Sequence, residues 1–202
     1  MNDELKIALV GMAGGVIGGG VSGVYQHVRE WLTRPRLSVD YETDKAHFVD
    51  FDYVKPNGHD ISAVYVRVRI RNLGWGVAKD CRVFLTRLEE VRQSRATPTA
   101  ATPTALNEAL VLGWPGGTNF EPQDIPRGPH FYADVVSVSK LTPDWRFAVR
   151  EMHANYLEKL PTFRGTYRFH VLVTCDDAVP VQCKIDVAYD GDWHNFRADP
   201  AP

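Results

Sequence analysis

The sequence predicts an all-β protein, an antiparallel β-sandwich preceded by one N-terminal transmembrane α-helix. Three observations predict it. Residues 7–25 carry no charge over 19 positions. From Leu37 onward, apolar residues recur with period two, the spacing of half-buried strands. Short polar or glycine-containing links separate those runs, as in antiparallel sandwiches.

The glycine-rich stretch "ALVGMAGGVIGGGVSGVY", residues 8–25, holds seven of the 16 glycines and admits three readings. Gly18, Gly20 and Gly23 match GxGxxG, with Asp40 downstream. That loop needs a strand before it and a helix after it, and "VGMAGGVI" is a poor strand. A cleaved signal peptide is the second reading, with Gly23 near a small-residue cleavage site. Its n-region "MNDELK" carries two acids against one lysine, where a positive charge is expected.

A membrane helix fits best. Nineteen helical residues span about 28 Å, close to the hydrocarbon thickness. Gly11, Gly15, Gly19 and Gly23 recur every four residues, and Gly14, Gly18 and Ser22 form a second row beside them. The two rows merge into one small-residue face on which helix backbones approach closely. The pattern resembles glycine-zipper membrane helices, and the resemblance implies a homo-oligomer held through the span.

Lys and Arg near the span are concentrated after it, at Arg29, Arg34 and Arg36, with Lys6 alone before it. The positive-inside rule then places the following domain in the cytoplasm, on a single-pass protein of the bacterial inner membrane. Tyr25 and Trp31 fall where an interfacial aromatic belt is expected. Pro35 ends the helix. Residues 1–35 are therefore read as anchor and juxtamembrane segment, and residues 36–202 as the β domain.

Within that domain, "LSVDYE" opens the alternation. "AVYVRVRIRN" places Val64, Val66, Val68 and Ile70 on one face and Tyr65, Arg67, Arg69 and Arg71 on the other. "NLGWGVAKD" is a turn and "CRVFLTRLE" a strand. "FYADVVSVS" and "WRFAVREM" add strands, and "GTYRFHVLVTC" and "VQCKIDVAY" form a hairpin through "DDAVP". "REMHANYLEKL" is ambiguous with a short helix. The tandem "ATPTAATPTA" has no apolar period, so residues 93–107 are expected to be a mobile loop.

Asn72, Gly74, Ala78 and Val83 make the pattern N-x-G-x-x-x-A-x-x-x-x-V. This hairpin resembles bacterial immunoglobulin-like domains of the CARDB type, and "GTYRFHVLV" resembles their penultimate strand. The resemblance implies an immunoglobulin-like sandwich. It also implies a location outside the cell, against the cytoplasmic placement that the arginines suggest.

Candidate chemistry is sparse. A net charge of −2 gives no global footprint for nucleic acid, which is not expected as a partner. The seven histidines have no metal-ligand spacing, the aspartate runs do not follow a calcium loop, and no nucleophile motif occurs. No enzyme activity, cofactor, metal or catalytic residue is expected. The three cysteines do not read as a disulfide scaffold. Cys175 and Cys183, symmetric about Val179, are expected as cross-strand neighbours, bonded or not. The possible binding surface comprises the basic stripe Arg67, Arg69 and Arg71 together with Trp75 and Trp114 in loops. Such a stripe more often faces acids on the next strand, and loop tryptophans more often pack in the core.

These readings converge on a membrane-anchored, non-enzymatic interaction module that oligomerises through its helix and binds a protein partner, or a small ligand, at its loops or arginine face. Two alternatives stand beside it: an oligomerising effector that perforates or disrupts the membrane under control of the β domain, and a periplasmic or secreted binding domain released by signal cleavage.

Overall fold

A computed structural model describes residues 33–43, 48–51, 63–92, 100–104, 106, 108–115, 119–140, 145–147 and 164–202. The glycines and Ser22 of the expected span, and Arg29, lie outside these residues. Among the described residues, no helix is long and apolar enough to cross a membrane.

Among the described residues, twelve strands run in the order β1 (Leu37–Asp40), β2 (Phe48–Phe51), β3 (Ala63–Asn72), β4 (Ala78–Arg92), β5 (Ala100–Pro103), β6 (Leu110–Val111), β7 (Gln123–Ile125), β8 (His130–Ser139), β9 (Trp145–Phe147), β10 (Gly165–Thr174), β11 (Val181–Tyr189) and β12 (Arg197–Pro200). A short 3-10 turn, Trp193–Asn195, precedes β12. The pairings form two antiparallel sheets. One has the order β1-β3-β8-β9, with β2 also on β3; the other has the order β12-β11-β10-β4-β5, with β6 and β7 also on β4.

The alternating strands behave as period two requires. Val64, Val66, Val68 and Ile70 of β3 are buried, as are Tyr167, Phe169, Val171 and Val173 of β10 and Ile185, Val187 and Tyr189 of β11. Side chains from both sheets join one hydrophobic cluster, from Leu37 to Ala198. Burying a valine or leucine of this kind stabilises by roughly 1.5–3 kcal/mol.

Two bulges set the phase. Val66 faces Val136 while Arg67 faces Asp134, so Val135 is an extra residue and both valines are buried. On β4, Leu85 faces Val171 and Arg87 faces His170. Thr86 is the extra residue there, and its hydroxyl donates to the His170 carbonyl at 3.1 Å. The slip returns Leu88 to the core opposite Phe169. A one-residue insertion of this type re-aims every later side chain.

Two expectations are corrected, and the open choice for Trp114 is decided toward the core. Residues 100–103 are not loop: they pair with Glu89–Arg92 as β5, and Leu106 is buried. The cause is the length of β4, whose 15 residues present an edge needing partners along its whole run. The β10–β11 pairing sets Cys183 opposite Val171, not Cys175. Cys175 instead lies beside Cys81, and all three thiols are free. Trp114 is buried because residues 112–114 link the sheets: the Leu112 N–H donates to Val83 of β4, and the Asp134 N–H of β8 donates to Gly113. Its ring packs edge-on against Phe131, centroids 6.4 Å apart, and its indole N–H donates to the Glu121 carbonyl at 2.9 Å.

Candidate interaction surface at the N-terminal end of the domain

Asn72 closes β3 and is 2% exposed. A buried primary amide must satisfy two donors and an acceptor oxygen, and here the surrounding backbone does so. Oδ1 accepts from the N–H groups of Arg36 at 3.1 Å and Gly74 at 2.9 Å. Nδ2 donates to the carbonyls of Gly76 at 2.6 Å and Ile125 at 2.9 Å. One side chain thus ties together the approach to β1, the β3–β4 turn and β7.

The two turn glycines are explained by what crosses them. A Cβ at Gly74 would lie 2.6 Å from the Arg36 nitrogen and 2.8 Å from the Pro35 carbonyl carbon, and one at Gly76 would strike the Thr33 carbonyl oxygen. Residues 33–36 lie directly on this turn. The Leu73 N–H donates to the Arg36 carbonyl at 2.8 Å, and Pro35 is buried. The segment expected to leave the membrane helix is therefore docked on the domain and is not a free linker.

The rim of this docking site is apolar. Among the described residues, the exposed large hydrophobics are Leu73 at 58%, Trp75 at 70%, Val77 at 43% and Val179 at 80%. Three lie in the β3–β4 turn that carries residues 33–36. The fourth lies in the β10–β11 turn, which shares with residues 33–35 an open depression of about 600 Å³. The Arg127 guanidinium sits over the Trp75 ring, 3.7 Å from its centroid. Carboxylates at this end serve the backbone: Asp177 accepts from the Lys79 N–H and Asp124 from the Asp80 N–H, each at 3.1 Å.

The basic stripe is elsewhere and is matched. Arg67 pairs with Asp134 of β8 at 2.5 Å, Arg69 with Asp40 at 2.8 Å and Glu42 at 2.5 Å, and Arg71 with Asp40 at 2.5 Å. The Asp40 hydrogen bond, with Glu42 assisting, raises the Arg69 guanidinium further above its ordinary range. Charges held this way by adjacent strands are not presented to a phosphate. Arg34 and Arg36 are exposed at the docked segment.

Two other clusters are internally satisfied. On the outer face of β10, Arg168 makes a bidentate contact to Asp186 at 2.7 and 2.8 Å. Glu89 there takes Arg87 at 2.6 Å and His170 at 2.9 Å, and the His170 hydrogen bond holds its carboxyl below the usual range. A depression of about 590 Å³ beside Tyr189 and Arg197 opens at the far end of β10. Its Asp190 takes the Asn195 amide at 2.7 Å, and nearby Asp192 takes the His194 backbone at 3.0 Å. Burial pushes the Cys81 and Cys183 thiols up to about 12, unlike activated nucleophiles. Among the described residues, no three His, Cys, Asp or Glu side chains are grouped to hold a metal.

Of the residues singled out in the sequence, Trp75 stands at the N-terminal rim with Arg34 and Arg36 nearby, whereas Trp114 and the arginine stripe do not join it. Leu73, Val77, Arg127 and Val179 were not anticipated. Their signal was faint: apolar residues inside turn sequences, "NLGWGV" and "DDAVP", where polar ones are usual.

No protein-family model, characterised protein or solved structure matches this chain.

Proposed function

We propose that this chain is a single-pass, non-enzymatic interaction module of the bacterial inner membrane, with an immunoglobulin-like sandwich held at the bilayer by the span at residues 7–25. The observation that carries this reading is the docking of residues 33–36 against Asn72, Gly74 and Gly76. A segment that follows the uncharged span closely in sequence is here part of the folded domain, which supports a domain held close to the bilayer. The sandwich reading is supported by strand order. β1-β3-β8 and β11-β10-β4 follow the A-B-E and G-F-C orders of immunoglobulin domains, and both sheets feed one core.

The glycine rows support homo-oligomerisation through the span, and Arg29, Arg34 and Arg36 support a cytoplasmic domain. The β domain is then displayed at the membrane surface to a protein partner. The test is alkaline carbonate extraction of the full chain from membranes, with protease protection in spheroplasts. Retention in the pellet with the β domain shielded is expected. Release by carbonate, or a mature N-terminus near Val24, refutes the anchor. Gly15→Leu and Gly19→Leu are expected to abolish detergent-resistant crosslinks between chains; unchanged crosslinking refutes the glycine interface.

A further inference from the structure

We propose that the N-terminal end of the β domain is a bilayer-contact apex: Leu73, Trp75, Val77 and Val179 rest in the headgroup–acyl boundary of the membrane that the chain's own N-terminal span crosses. This rests on the anchored reading above.

Reach limits where this end sits. Tyr25, the last residue of the uncharged span, precedes Thr33 by eight positions. Eight residues cover about 12 Å as helix and at most about 28 Å fully extended. Residues 33–36 are pinned to the β3–β4 turn, so that turn is held within the same distance of the hydrocarbon. The β10–β11 turn shares a depression with residues 33–35 and is held there too. The far end of β10, at Gly165, is nine strand steps away, about 30 Å along the strand.

Chemistry selects the occupant. Among the described residues, the exposed large hydrophobics Leu73, Trp75, Val77 and Val179 lie in the two turns at this end, and none lies at the far end. Tryptophan with a guanidinium on its face suits the interface, where the indole lies at headgroup level and the cation meets phosphate. Charge argues against adhesion by a basic patch. Arg34, Arg36, Lys79 and Arg127 are offset at this end by Asp80, Asp124, Asp176 and Asp177, two of which are engaged by backbone N–H groups. The contact is therefore apolar and aromatic, and does not depend on anionic lipid. Its role is to fix the tilt of a domain that the span already tethers.

The test uses the full chain in phosphatidylcholine vesicles, with Cys175→Ser and Cys183→Ser so that the remaining native thiol is the buried Cys81. An environment-sensitive fluorophore is placed on Val179→Cys, or on Arg164→Cys at the far end of β10. In vesicles containing brominated phosphatidylcholine, the label at 179 is expected to lose more than about half its emission and that at 164 none. Replacing a third of the lipid by phosphatidylglycerol is expected to leave both values unchanged. Carbonate extraction of the same vesicles separates the outcomes. Release of the chain overturns the anchor and this proposal together. Retention with an unquenched label at 179 overturns the apex alone. If that label is also shielded from aqueous iodide, a protein surface, such as a second copy of the chain, occupies the site instead. Quenching that appears only with phosphatidylglycerol also overturns it, in favour of electrostatic adhesion.

Discussion

The most exposed claim about this fold is that one amide organises its N-terminal end, and Asn72→Ala tests it. The substitution removes four hydrogen bonds and leaves four backbone groups without them: the N–H groups of Arg36 and Gly74 and the carbonyls of Gly76 and Ile125. The bonds to Gly74 and Ile125 are buried, and those to Arg36 and Gly76 are partly so. A buried orphaned group costs about 1–3 kcal/mol, and one that water can reach costs well under 1 kcal/mol. The expected loss is therefore about 3–6 kcal/mol, a large share of the ~5–15 kcal/mol that holds a typical domain together. With about 2–4 °C per kcal/mol for a chain of this size, the melting temperature falls by roughly 6–24 °C. The assay is thermal unfolding of the full chain in mild detergent, followed by near-ultraviolet circular dichroism. Asn72→Asp sharpens it. A carboxylate keeps the two acceptor contacts but turns two attractions to carbonyls into repulsions, so it is expected to be no better than alanine. A loss below about 1 kcal/mol for alanine, or an aspartate variant as stable as the original, refutes the hub.

Other perturbations probe separate terms. Gly74→Ala puts a methyl group into the backbone of residues 34–36 and is expected to lift that segment, read as faster tryptic cleavage after Arg36. Gly128→Ala meets no neighbour and strains only a positive φ of 107°, costing about 1–2 kcal/mol with the cleavage rate unchanged. Arg67→Ala leaves Asp134, 0% exposed, without its guanidinium, and is expected to cost about 3–5 kcal/mol in denaturant unfolding. Asp134→Asn in that background is expected to recover part of the loss. The lowered carboxyl of Glu89 contributes stability that is present above its unfolded pKa of about 4.3 and is lost as pH falls through its lower folded pKa. Glu89→Gln is therefore expected to flatten the acid limb of the stability profile below about pH 4.3. A pKa of about 12 at Cys81 and Cys183 leaves ~10³-fold less thiolate at pH 8 than an ordinary cysteine has. Native-state alkylation by iodoacetamide is expected to be slower than in denaturant by that factor.

The parts of this fold that the sequence makes legible are those with enough residues to establish a period. β3, β10 and β11 each run nine or ten residues, and their buried faces agree with the alternation. β2, β5, β6, β7 and β12 have two to four residues each, too few for any period. β5, β6 and β7 exist because β4 is long and lends them an edge; the cause is tertiary. Pro103 at the end of β5 sits where a missing N–H does least harm to a sheet. Register is a further limit. The β10–β11 hairpin is centred on Asp177 and not on Val179. An even-numbered shift keeps every side chain on its expected face while changing its partner, so Cys183 meets Val171. Periodicity fixes faces and is blind to such a shift.

The candidate surface divides along the same line. Arg67, Arg69 and Arg71 were visible as a stripe, but their meaning depends on Asp40, Glu42 and Asp134, which strand pairing brings beside them. Trp75 and Trp114 both read as loop tryptophans. One is left at the rim because its turn is covered by backbone alone, through Gly74 and Gly76; the other is drawn inward because its segment bridges two sheets. What no local pattern contains is the joint made by Asn72. If the span packs through the rows of Gly11, Gly15, Gly19 and Gly23, the pinned residues 33–36 bring the β3–β4 turns of neighbouring chains towards one another. A flexible insertion of glycine and serine ahead of Thr33 would leave the joint at Asn72 intact, yet it would let those turns drift apart.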